Sequence, residues 1–437
     1  RVKRSLMHIS LKTRSSALSF CTKYDIHYGW VMVALAFFSA LFATASVGVP
    51  SVLIVPMSKD LGWSIGEIAA PTGLRLALFG LSAPFAGGLM LKYGPRRMVG
   101  LSGIVLIIGL IISIFTTEKW HLWVGMGILL GIGPGLTAMQ LSSVIASRWF
   151  NERQGLVIGL MTGATATGTL IFMPLAATIS DLYGWRAAMG IPTIGSVISI
   201  ILFYLFAWDR PENINIPRLG ETEVGLAPEP YKENFIVLSF NALFVGMRTK
   251  LFWILALTFM ICGISSFGLT QAHIVPFCGD LGVPFAAAAW LLAVIGVADL
   301  IGTTGSGWLA DRYDNRWLLT IYYGFRGVSL VWLVSSDPSY AALTIFAIIY
   351  GLDFIATVPP TVKLTIGRFG REIGPAIFGW IFASHHVAAG LMTVGAGVSR
   401  DFIGSYVPSF LFAGITCFIA AASFYFVKNS DMKSSNI

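Results

Sequence analysis

Gly307-Trp308-Leu309-Ala310-Asp311-Arg312-Tyr313-Asp314-Asn315-Arg316 stands 220 residues after Gly87-Gly88-Leu89-Met90-Leu91-Lys92-Tyr93-Gly94-Pro95-Arg96-Arg97. Each stretch closes one apolar run and opens the next. The same spacing aligns Arg148 with Arg368, Gly159 with Gly379, Asp181 with Asp401 and Gly184 with Gly404. One register held across several apolar runs and their loops marks a duplicated unit. Duplicated halves related by an axis along the membrane normal, with a solute site between them, are a plan used by membrane carriers.

The surrounding chain has the composition this plan needs. It is 437 residues long, 56% hydrophobic and 11% charged, with a mean hydropathy of +0.77. A soluble domain carries about a quarter charged residues. Most of this surface therefore meets lipid. A spanning helix takes about 20 apolar residues, and such runs fall at 28–55, 67–91, 96–116, 121–147, 154–179, 186–207, 250–277, 285–309, 316–336, 340–366, 373–398 and 403–427. Twelve runs predict an all-α integral membrane fold. Its expected parts are a tail over 1–27, a six-helix bundle over 28–207, a linker over 208–249, a second six-helix bundle over 250–427 and a second tail over 428–437. The linker is marked by Pro211, Pro217, Pro228 and Pro230 and by the acids Glu221, Glu223, Glu229 and Glu233.

With the first tail inside, 22 of the 29 Lys and Arg residues fall on the inner side and four on the outer side. The positive-inside rule then predicts both termini in the cytoplasm. This bias accounts for the net charge of +8 without a nucleic-acid partner. Cys21, Cys262, Cys278 and Cys417 have neither disulfide nor metal spacing. No phosphate-binding G-x-x-x-x-G-K-[ST] loop and no nucleophile–base spacing appears. Neither cofactor nor metal is expected, and no bond-making chemistry; a monomer is expected.

Both quoted stretches resemble the G-x-x-x-D-R-x-G-R-R signature of the major facilitator superfamily. The resemblance implies a gate on the cytoplasmic side built from Gly87, Arg96 and Arg97 in one copy and Gly307, Asp311, Arg312 and Arg316 in the other. The first copy has Leu91 where the acid belongs. Phe150-Asn151-Glu152-Arg153-Gln154-Gly155-Leu156-Val157-Ile158-Gly159, running on to Gly163 and Gly168, resembles the fifth-helix signature of monocarboxylate transporters, and Tyr28-Gly29-Trp30 is similar to the opening of their first helix. The bacterial oxalate/formate antiporter group shares these features. The resemblance implies alternating access for a small organic anion, with proton symport or anion exchange. The fifth run lacks the G-P-x-x-G-G of drug/proton antiporters, and Arg210-Pro211-Glu212 matches the P-E-S-P-R of sugar porters poorly. An efflux carrier for hydrophobic compounds and a non-transporting sensor remain the competing readings.

A charge at the centre of a membrane helix costs about 2.5–3.5 kcal/mol on insertion scales, so each asks for a partner or a task. Arg326 and Asp353 lie midway along adjacent runs and read as a structural ion pair. Lys363, near the inner end of the tenth run, reads as snorkelling to the headgroups, with a solute contact as the alternative. Arg75 is a candidate for binding a carboxylate, since a guanidinium offers a matching fork of donors. Asp299 stands where monocarboxylate transporters have an Asp followed one turn later by Arg. Here the Arg place is Thr303, and the first-helix Lys place looks like Ser51. An Asp without its Arg suits a proton carrier, or could equally pair with another buried cation. His385 and His386 lie mid-run and point about 100° apart, so at most one is expected to face a cavity squarely; His273 is a further anion-binding candidate. The resemblance places an Arg in the eighth and a Lys in the eleventh helix of oxalate carriers, and this chain has neither, which favours a monoanion over a dianion. Gly133-Pro134-Gly135, Pro359-Pro360 and Pro375 are helix breakers suited to bending.

Overall fold

The computed structural model describes residues 2–63, 65–225, 234–336 and 339–427, apart from some helix side chains. Ser51, Leu91 and Asp401 are among those side chains, and the 428–437 tail with Lys428 and Lys433 also lies outside the described residues. The fold is all α. The crossings are α1 (Gly29–Val52), α2 (Ile65–Tyr93), α3 (Pro95–Ile114), α4 (Lys119–Trp149), α5 (Gln154–Tyr183) and α6 (Trp185–Phe206). The second set begins with α7, made of Lys250–Gly263, a π-helical stretch Ile264–Gln271 and Ala272–Asp280. It continues with α8 (Phe285–Ala310), α9 (Asn315–Ser335), α10 (Tyr340–Asp353, resuming at 358), α11 (371–403) and α12 (Val407–Tyr425). Nine described stretches are long and apolar enough to cross a membrane by themselves. One of them, Tyr340–Arg400, holds two crossings parted at Gly370, and α2 and α5 contribute the shorter apolar lengths Leu74–Met90 and Gln154–Ala164.

Local chemistry sets the joints. Gly184 and Gly404, the last aligned pair, both take positive φ (84° and 78°) where α5 and α11 end, a conformation that costs a glycine little. Asp314, Thr249 and Ser339 cap α9, α7 and α10 through their side-chain oxygens, satisfying amides that a helix start leaves open.

Packing repeats between the halves. In the first, α1 packs on α5, α2 on α4 and α3 on α6; in the second, α7 packs on α11, α8 on α10 and α9 on α12. The halves meet where α5 crosses α8 and α2 crosses α11. The turns after α2 and α8, the start of α1 and the end of α12 share one face, tied by Tyr28 Oη to the Phe206 carbonyl (2.7 Å) and Arg316 Nη1 to the Val427 carbonyl (2.7 Å). We call this the basic face.

Two segments expected as plain tail and linker carry helices. Val2–Lys23 is helical, and Arg14 secures it by donating to the Tyr204 carbonyl (2.8 Å) over the Trp208 ring. Within the 208–249 stretch, Phe235–Met247 is an apolar helix lying against α2 and α11. There Trp380 Nε1 donates to the Ser239 carbonyl at 2.8 Å. The proline and acid count drew attention to the front of this stretch and hid the apolar run behind it.

Candidate functional site

At the α5–α8 crossing a methyl group on Gly159 would lie 2.7 Å from the Thr303 carbonyl, and one on Gly307 would overlap the Gly155 backbone. At the α2–α11 crossing, 220 residues away in register, a methyl on Gly379 would lie 2.8 Å from the Ala83 carbonyl and one on Gly87 2.7 Å from Ala376 Cα. Both crossings therefore depend on absent side chains, which let backbones approach as membrane interfaces require.

Above Gly307 on the basic face, Asp311 accepts from the amides of Gly155 (2.8 Å) and Leu156 (3.0 Å), capping α5 of the other half. Lys363 Nζ meets the same carboxylate at 2.6 Å and donates to the Ala310 carbonyl. This corrects the snorkelling expectation: the acid one helix away holds the ammonium more closely than headgroups can. Arg316 pairs with Asp314, whose carboxyl this hydrogen bonding holds below the usual carboxylate range. Arg312 lies over the Trp308 ring, Arg96 donates to the Tyr204 carbonyl at 3.0 Å, and Arg97 is exposed.

Further ties cross between the halves on this face. Arg371 donates to Asn151 (2.7 Å) and stands 3.8 Å from Glu221, while Arg210 stands 3.7 Å from Glu372. The opposite face differs. Its ion pairs, Lys119–Glu67, Arg186–Asp60 and Arg400–Asp280, each stay within one half among the described residues. In the described conformation these contacts tie the halves together at the basic face. Sequence reading missed the Arg210, Glu221, Arg371 and Glu372 ties, because these partners come from the linker and from two different bundles and share no local motif.

Midway through the membrane, rings from both halves gather. His386 on α11 faces Phe79 of α2 (4.9 Å between centroids), and Gly80 has room for it only as glycine. His385 turns instead toward Phe259 (4.8 Å) and Phe267 (5.4 Å) of α7. The two imidazoles thus serve different interfaces, as their angular separation requires. His385 is 3% exposed and its Nδ1 has no partner among the described residues. Arg75 is buried on α2, one turn from Phe79, where α4 offers Gly131 against its backbone. His273 lies apart, its Nε2 bonded to the Thr393 carbonyl at 2.9 Å and its ring beside Tyr406. Gln140, buried on α4 with neither amide atom partnered among the described residues, was not singled out from sequence, since a lone glutamine carries no pattern.

The second half holds a separate polar knot. Arg326 Nε meets Asp353 Oδ2 at 2.7 Å, and its other nitrogens reach Cys262 Sγ (2.9 Å), Ser265 Oγ (3.4 Å) and the carbonyls of Asp353 and Phe354. Asp299 Oδ1 accepts from Thr303 Oγ1 (2.7 Å) and from the Ile355 amide (2.9 Å). All three charged groups are buried.

Residues 36–277 match the family model described as Major Facilitator Superfamily. Over 404 residues the chain is 28% identical to Monocarboxylate transporter 13 of Rattus norvegicus, covering 91% of this chain and 88% of that protein. It is 26% identical over 422 residues to Monocarboxylate transporter 11 of Mus musculus, covering 92% and 88%. The proton:xylose symporter XylE superposes with a TM-score of 0.68 at 15% identity, over 93% of this chain and 97% of that one. The E. coli fucose:proton symporter FucP superposes with a TM-score of 0.66 at 15% identity, over 91% and 98%.

Proposed function

This chain belongs to the Major Facilitator Superfamily and is related to the monocarboxylate transporters; from that premise we propose that it carries small monocarboxylates across a cell membrane by alternating access, coupled to a proton or to a second anion. It is a secondary transporter and not an enzyme. The observation that carries the substrate reading is the α2–α11 crossing, where a buried cation, Arg75, sits one turn from the ring that meets His386 of the other half. A guanidinium and an imidazole on facing halves suit a single carboxylate approached from both sides. Asp299, buried on α8, is the proposed proton carrier. His273 and its carbonyl bond are left outside this site.

The basic face is assigned to the cytoplasm, with both termini there, from the Lys and Arg bias. The tied conformation is then the one closed to the cytoplasm. Two six-helix bundles, 28–207 and 250–427, rock about the central rings. The working unit is one chain in a lipid bilayer.

One observation favours a second reading. The rings of Phe79, Phe267, Phe354 and Phe382 around the histidines also suit a bulky hydrophobic cargo. Counterflow in proteoliposomes separates the two, using a panel of monocarboxylates, dicarboxylates and neutral apolar compounds with and without a pH gradient. Exchange of monocarboxylates is expected, and Arg75→Ala weakens it. Exchange of neutral compounds alone would overturn the anion reading, and exchange of nothing would favour a sensor.

A further inference from the structure

α10 is interrupted by the turn 354–357. A broken helix inside a membrane must have its freed amides and carbonyls satisfied by protein. Here Arg326 takes the carbonyls of Asp353 and Phe354, Asp299 takes the Ile355 amide, and Ser306 Oγ donates to the Ala356 carbonyl at 2.6 Å. The first half has the same break in the same register: α4 is interrupted at 136–137. That break is held by Ser102 Oγ, 2.7 Å from the Gly133 carbonyl and 3.1 Å from Thr137 Oγ1. The residues in register with Asp299, Arg326 and Asp353 are Phe79, Leu106 and Gly133. A broken helix at this place therefore needs no charge. The three charges of the second half exceed what the fold requires.

Their arithmetic is uneven: two acids and one guanidinium hold the same turn. Arg326 bonds directly to Asp353, and Asp299 lies within electrostatic range of both. One oxygen of each acid, Asp299 Oδ2 and Asp353 Oδ1, has no hydrogen-bond partner among the described residues. An uncompensated buried ion costs several kcal/mol, and two carboxylates in one site resist joint ionisation. The remaining titratable groups facing Arg326 and the two acids are Cys262 (α7), Tyr322 and Tyr323 (α9), Tyr350 (α10), His385 (α11) and Cys417 (α12). None of these supplies a second fixed positive charge.

We propose that Asp299 and Asp353, sharing the guanidinium of Arg326, form a single one-proton site, and that the turn 354–357 passes its occupancy along α10 to Lys363 and the Asp311 cap on α5. A proton from solution forms an O–H bond with one carboxylate oxygen, and the same bond breaks on release; no electron moves. This deepens the proton-coupled reading of Asp299 and rests on it. The path is short, since Lys363 follows Asp353 by ten residues, just beyond the turn 354–357.

Infrared difference spectra of the purified protein between mildly alkaline and mildly acidic pH test the site directly. The wild type is expected to gain one protonated-carboxyl band. Asp299→Asn and Asp353→Asn are each expected to lose it, because the surviving acid is then neutralised by Arg326. Arg326→Gln is expected to keep both carboxyls protonated at both pH values, giving two such bands in its absolute spectrum and none in the difference. Absence of the band in the wild type, or its persistence in either Asn variant, would overturn the shared site. For the link to the gate, a cysteine replacing Asn151 is labelled from the basic face, the native cysteines being buried. Its labelling rate, taken relative to that of a free thiol at the same pH, is expected to change about fivefold with pH, and Asp353→Asn is expected to remove that change; a relative pH dependence that survives overturns the link. Failure of the transport reading appears separately, as wild-type protein that shows the band yet exchanges no carboxylate.

Discussion

The two crossings between the halves share a backbone plan and differ in chemistry. At α5–α8 the Gly155 amide donates to Asp311, and Asp311 pairs with Lys363. In register at α2–α11, Gly155 becomes Pro375, Asp311 becomes Leu91 and Lys363 becomes Ser143. Proline has no amide hydrogen to donate, so donor, acceptor and counter-charge have disappeared together. One crossing closes by glycine packing plus a charge-assisted cap, the other by glycine packing without that cap among the described residues. The interrupted helices repeat this division, with a serine holding α4 and an Arg–Asp pair holding α10. The first half's crossing and helix break are held without charge, and their counterparts in the second half carry charged groups.

This comparison orders the expected effects. The largest follow from blocking what both crossings share. Gly307→Leu and Gly87→Leu each force a side chain into opposing backbone, and each is expected to abolish proteoliposome exchange. Survival of one with wild-type exchange would show that its crossing does not rely on close approach.

Removing what only one crossing has comes next. Asp311→Asn leaves Lys363 without its counter-charge, a loss of about 1.5–3 kcal/mol for a hydrogen bond to a charged group, read as a tenfold or greater fall in exchange. The double variant Asp311→Leu, Lys363→Ser copies the neutral crossing. It is expected to recover part of the loss, with a coupling of about 0.5–3 kcal/mol in a double-mutant cycle. Ser102→Ala should act on stability more than on exchange, at about 1 kcal/mol for one neutral hydrogen bond, seen as a lowered melting temperature.

The smallest effect belongs to the opposite face. Asp60 is held below the ordinary carboxylate range, first by the Trp185 indole N–H and then by Arg186. A carboxyl depressed in the folded state contributes stability above its unfolded pKa of about 3.9 and loses it as pH falls through the folded value. Asp60→Asn should therefore shift the melting temperature slightly at neutral pH, by an amount that fades as acid protonates the folded Asp60, within the ~0.2–1 kcal/mol of an exposed pair.

Much of this was legible in the sequence. The repeat register found both crossings, because glycines forced by backbone contact recur where the contact recurs. Arg326 and Asp353 were visible because charge inside an apolar run is expensive. Asp311 was visible through its motif, but the identity of its donors, Gly155 and Leu156, was not, since it depends on α5 arriving from the other half. Lys363 was misassigned for the same reason: its partner lies 52 residues away and its position near a helix end fitted snorkelling. The Phe235–Met247 helix was hidden by the prolines before it. The ring cluster around His385 and His386 left no trace, since aromatics scattered over α2, α7, α10 and α11 look alike in any apolar run.

Pulsed electron resonance between spin labels at Arg153 and Arg312, which flank the α5–α8 cap on the basic face, tests the division of labour most directly. A single short distance is expected in the wild type, with a second, longer population appearing in Asp311→Asn and no such change in Leu91→Asn. An unchanged distribution in Asp311→Asn, or an equal shift from Leu91→Asn, would contradict a gate whose charged closure resides in one crossing.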